Sequence, residues 1–155
     1  MKKLFTPVLA LTLLTATALV SCSKNDPEPQ DNPVVAPDTS VTTLKTASVT
    51  AQGGTRSSGS LAIIRDETGK ELVQLNEDFV TEFHTGSLGV YLAKSDGQVN
   101  AQQAAGAGNV LKVGTIVKNG KQFLEIPTKG AYTGFSHIVF YCEAARYNFA
   151  AAALK

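Results

Sequence analysis

From Leu44 onward, apolar and polar residues alternate with a period near two, the signature of half-buried strands. Ser60-Leu-Ala-Ile-Ile-Arg65 is a short apolar run, followed by Asp66-Glu-Thr-Gly69 and then Glu71-Leu-Val-Gln-Leu75. This spacing predicts a hairpin turning at Asp66–Gly69. Phe79-Val-Thr-Glu-Phe83 continues the pattern, and His84-Thr-Gly-Ser87 breaks it. Leu88 to Ala93 is a further strand with Leu88, Val90 and Leu92 on one face. Lys94 to Asn109 is rich in Ala, Gln and Gly and has no strand period; it reads as a long surface loop, with room for one helical turn over Asn100–Ala105.

Downstream, Val110–Val117, Asn119-Gly120 and Gln122–Ile126 have the form of a hairpin, since Asn-Gly suits a type I′ turn. Pro127 ends that strand, and Phe135–Cys142 and Arg146–Leu154 supply two more. About eight short strands separated by turns predict an all-β domain, an antiparallel sandwich or barrel over residues 44–155. The run Ala150–Ala153 is unusual in a strand; such small residues suit close packing beneath a neighbouring loop, the alternative being close approach of a ligand or another backbone.

Before Leu44 the pattern differs. Met1-Lys2-Lys3 is a positive head, and Leu4–Val20 is uncharged and mostly apolar, interrupted by Pro7 and several threonines. That length is short for a membrane span of about 20 residues and fits a secretory signal over 1–21. Leu19-Val20-Ser21-Cys22 resembles the lipobox of bacterial lipoproteins, with Leu at −3, a small residue at −1 and Cys at +1. The thiol of Cys22 is where the lipid, including palmitate-type acyl chains, would be attached as a thioether. Two or more acyl chains anchor a protein stably where one does not. The expected partner is therefore a membrane, reached through Cys22, in the cell envelope. An outer-membrane location is expected, with the periplasmic and surface faces both open.

Residues 22–43 form the expected tether. Pro27, Pro29, Pro33 and Pro37 lie there among acids and amides, too little apolar surface to offset the entropy of ordering. Such a spacer reaches roughly 25 to 60 Å depending on stiffness.

Charge excludes more than it suggests. Removal of Lys2 and Lys3 with the first 21 residues leaves 12 basic against 13 acidic side chains. No basic stripe points to nucleic acid. With Cys22 consumed by lipid, Cys142 is the one remaining thiol, so an intrachain disulfide is not expected. A free thiol in an oxidising compartment is either a redox group or a buried small hydrophobe. Cys142 shares its strand face with Phe140 and Ile138, which favours burial; Arg146, four residues on, is the nearest cation in sequence. His84 and His137 are the only imidazoles, and 137 differs from 142 by an odd number, which puts it on the opposite strand face. His84 is thus the candidate second ligand if Cys142 held a haem. No hydrolase, zinc-protease or phosphate-loop motif and no metal-ligand spacing is present, so no catalytic residue is assigned.

From about Ser58 to Leu154 the chain resembles the DM-thirteen domain, a β-sandwich module related to DOMON domains and labelled as an electron-transfer family. The resemblance is carried by Ile138-Val-Phe-Tyr-Cys142 with Phe149 and Leu154, and upstream by Ser58–Ile63, Phe79, Leu88-Gly-Val-Tyr-Leu92 and Asn119-Gly…Glu125-Ile-Pro127. It departs from the family at Thr85-Gly86-Ser87 (for Gly-Pro), Tyr141 (for Trp), Ala145 (for Phe) and Ala150 (for Gly). The resemblance implies a redox role for Cys142, as a bare thiol or as a ligand to a group such as haem, with an unidentified redox or surface protein as partner. The alternative is a non-catalytic binding or structural module with Cys142 in the core, contacting its partner through residues 84–87 and 94–109.

Overall fold

Leu61, Ile63, Val73 and Leu75 point one way from adjacent strands because each strand alternates faces. The computed structural model describes residues 36–37 and 40–155. The expected signal segment, Cys22 and nearly all of the Pro-rich stretch lie outside the described residues.

Eight strands form the domain: β1 (Thr42–Ala51), β2 (Ser60–Arg65), β3 (Glu71–Leu75), β4 (Leu88–Ala93), β5 (Val110–Ile116), β6 (Gln122–Glu125), β7 (His137–Cys142) and β8 (Tyr147–Ala153). All pairings are antiparallel, in the order β5-β4-β7-β8-β1-β2-β3-β6. The sheet is nearly closed on itself, so the all-β expectation holds. β1 makes the corner: its first part pairs with β2 and its last three residues with β8, and its register against β2 slips between Thr43 and Lys45. β1 begins at Thr42, two residues inside the stretch assigned to the tether.

The inner faces meet in one core, in which Phe79, Phe140 and Phe149 are the bulkiest fully buried side chains. Phe79 and Phe140 lie 4.9 Å apart between ring centroids. A second apolar layer lies outside the sheet, where Tyr91, Val139, Tyr141 and Ala151 pack with Val99.

The β2–β3 hairpin turns where expected, with Gly69 N–H donating to Asp66 O at 3.0 Å. Three expectations need correction. First, β5 and β6 do not form a hairpin ladder: β5 pairs with β4 and β6 with β3. Gly120 has φ +81°, but Arg146 is the only non-glycine residue of positive φ among those described, so Asn119 cannot complete a type I′ turn. The two strands are the edges of the nearly closed sheet, with no ladder between them. Second, Phe79–Phe83 is not a strand; its β-pairing is the isolated Ser58–Val80 bridge. Phe79 turns fully into the core, which a half-buried strand edge does not require. Third, residues 94–109 are more ordered than a surface loop, and the helical turn allowed over Asn100–Ala105 is present. Val99–Ala105 is a helix, α1, and Ala107–Asn109 a 3-10 turn. Val99 is fully buried on the outer face of the sheet.

Candidate functional site around Cys142

Cys142 ends β7, and the alternation along that strand puts Ile138, Phe140 and Cys142 inside and Val139 and Tyr141 outside. The expectation that Cys142 shares a face with Phe140 and Ile138 is met. The residue has no solvent-accessible surface. Its Sγ lies 3.1 Å from Thr85 Oγ1 and accepts the N–H of Ala145 at 3.3 Å. Thr85 comes from the turn before β4, and Ala145 from the turn between β7 and β8. The thiol is therefore packed below and hydrogen-bonded above.

Neither proposed helper reaches the sulfur in the expected way. Arg146 is exposed and sits in the left-handed region at φ +58°. It is tied to Cys142 through the backbone, Arg146 N–H to Cys142 O at 2.7 Å, which closes the turn. The donor to Sγ is the neighbouring Ala145 N–H. His84 is exposed as well; its Nε2 is 3.6 Å from Glu82 Oε2, and its ring meets Phe149 edge-on at 5.7 Å. His137 hydrogen-bonds Ser136 Oγ at 2.8 Å, on the strand end opposite Cys142. Among the described residues, no three His, Cys, Asp or Glu side chains converge in a metal-binding arrangement.

Polar contacts surround this end of the barrel. Thr55, Ser57 and Thr81 form a chain of hydroxyls at 3.0 and 2.8 Å that ends on Phe149 O, to which Thr55 Oγ1 donates at 2.6 Å. Just beyond Cys142, Glu143 Oε1 accepts from Tyr91 Oη at 2.5 Å and Lys112 Nζ at 2.6 Å, which links β7, β4 and β5 on the outer surface. Lys112 and then Tyr91 hold the Glu143 carboxyl below its usual range, against the opposing effect of burial. Burial and the Glu143 carboxylate push the Tyr91 hydroxyl well up. Gly89 makes this possible: a Cβ there would stand 2.6 Å from the Tyr91 ring and 3.0 Å from Glu143 Oε1.

The residues that pattern reading passed over are Thr85 and Asn148. Thr85 lies in the 84–87 break that also reads as a contact surface, and nothing local shows that it returns to a sulfur 57 residues away. Asn148 is a fully buried amide in an apolar strand, and that mismatch is a usable signal, because a buried amide requires partners.

Comparison with family models, with curated proteins and with solved structures finds no match.

Proposed function

We infer that this chain is a cell-envelope lipoprotein, lipidated at Cys22, whose β-domain is a non-catalytic binding or structural module related to the DM-thirteen domain. The observation that carries the non-catalytic reading is the state of Cys142. A redox thiol needs access for its partner and a positioned cation to favour the thiolate. Cys142 has no exposed surface, and its hydrogen-bond neighbours are a hydroxyl and a backbone N–H. It fits the core as a small hydrophobe.

Topology supports display on a tether. β1 starts beside Arg65, so the preceding chain joins the domain at the end holding the β2–β3 turn. The turns at 76–87, 117–121 and 143–146 lie at the other end, away from that junction. The 84–87 turn is then the more available contact surface for a partner. The 94–109 segment is held back along the side of the sheet.

Two measurements test this reading. Labelling with a fatty-acid analogue should tag the wild-type chain and leave a Cys22→Ala variant unlabelled and released from membranes; equal labelling of both would end the lipoprotein assignment. The native domain should resist thiol reagents, lack cofactor absorbance and keep its surface behaviour in Cys142→Ala. Rapid native modification, or lost function in a folded Cys142→Ala variant, would instead select the electron-transfer reading.

A further inference from the structure

Asn119-Gly120 is the only Asn-Gly pair in the chain. This dipeptide carries its own chemistry. With no side chain on the second residue, the Gly120 backbone nitrogen can approach the side-chain carbonyl carbon of Asn119 with little hindrance. Once that nitrogen gives its proton to hydroxide, it attacks Asn119 Cγ. A C–N bond forms, the side-chain nitrogen leaves as ammonia, and a five-membered imide remains. Water then opens either C–N bond of the imide, giving Asp or isoaspartate at 119. Water is the only other reactant, and nothing is oxidised or reduced.

In the folded domain both reacting groups are occupied. Gly120 N–H donates to Phe79 O at 2.9 Å. Asn119 Oδ1 accepts the N–H of Thr81 at 2.9 Å. The turn is further tied by Gln122 Nε2, which donates to Lys118 O at 2.5 Å. The segment it grips is itself fixed: Phe79 is fully buried, and Val80 exchanges two backbone hydrogen bonds with Ser58, at 2.9 and 3.0 Å. Attack requires Gly120 N–H to leave Phe79 O, and the Thr81 N–H holds the Asn119 side chain in its folded position until the turn moves.

We propose that Asn119–Gly120 is a latent deamidation site, kept closed by its clamp on residues 79–81 and reactive only when the 117–121 turn lifts away. The two products differ in consequence. Aspartate keeps an acceptor for Thr81 N–H. Isoaspartate lengthens the main chain by one carbon and carries Gly120 N–H off Phe79 O, so it leaves the clamp open. The site thus records opening of the barrel end irreversibly.

To test this, the full chain is held in mildly alkaline buffer, both folded and in unfolding concentrations of urea. Asp and isoaspartate at 119 are followed by peptide mass mapping. Hydrogen exchange at Gly120 N–H in the folded chain reports how often the clamp opens. The folded chain should react roughly ten-fold or more slowly than the unfolded chain, and the slowing should match the opened fraction within a few-fold. A smaller slowing, or one unrelated to the exchange of Gly120, overturns the proposal.

Discussion

The side chain of Asn148 in β8 accepts the backbone N–H of Val99, the first residue of α1, at 3.2 Å. The same amide donates to Asp96 O and Gly97 O, each at 3.1 Å, and Asn148 N–H donates to Gln98 Oε1 at 3.0 Å. One buried residue therefore satisfies a whole turn and fastens the 94–109 segment to the sheet. Asn148→Ala leaves the Val99 N–H without its acceptor and removes one of two donors to each of Asp96 O and Gly97 O, and should cost about 1–3 kcal/mol. Urea unfolding measures the loss, and hydrogen exchange should show residues 96–105 opening first. A variant that retains wild-type stability would mean the turn holds without this amide.

Glu71 is a second buried anchor. Its carboxylate accepts from Arg65 Nη2 at 2.7 Å and from Gly130 N–H at 2.5 Å, which pins the segment after β6 to β3. Burial pushes this carboxyl up, but Arg65, the Gly130 N–H and the nearby Lys129 outweigh it and leave it below the usual range. A carboxyl depressed in the folded state contributes stability above its unfolded pKa, and that contribution fades as pH falls through the folded value. Stability should therefore drop on acidification below about pH 4, more steeply in wild type than in Glu71→Gln. Parallel pH profiles of the urea midpoint would show that Glu71 is not responsible.

Gly89→Ala places a methyl group where the Tyr91 ring and Glu143 carboxylate already stand. Their link should be displaced, at a cost of about 1–3 kcal/mol. Tyr91→Phe removes only the hydroxyl and should cost less. If thermal unfolding ranks these two variants the other way, space at Gly89 is not what limits the cluster.

Thr85 is the cover over the thiol. Thr85→Gly should leave the fold intact and raise the rate at which thiol reagents modify native Cys142. Modification that proceeds only with global unfolding in both proteins would show that other parts of the shell guard the sulfur.

Much of the fold was legible along the chain because strand periodicity is local. The β2–β3 hairpin could be read directly, since Asp66–Gly69 holds both the turn chemistry and its flanking apolar runs. The inward orientation of Ile138, Phe140 and Cys142 followed from alternation alone. The Asn119-Gly120 turn was misread for an instructive reason. A local signal proposes a hairpin, but β5 pairs with β4 and β6 with β3, so the two strands become the facing edges of the nearly closed sheet with no ladder between them. Phe79–Phe83 has strand composition, yet the turn at 117–121 uses its backbone as an anchor.

By itself, the sequence determined the strand-rich class, the β2–β3 hairpin and the inward face of Cys142 on β7. These depend on composition, period and counting. Only the tertiary structure decided that Thr85 and Ala145 cap the sulfur while Arg146 and His84 face solvent. It alone showed that Asn148 governs the 94–109 segment. Such pairings join residues tens of positions apart, and their geometry is set by how the sheet curls, which no local pattern encodes.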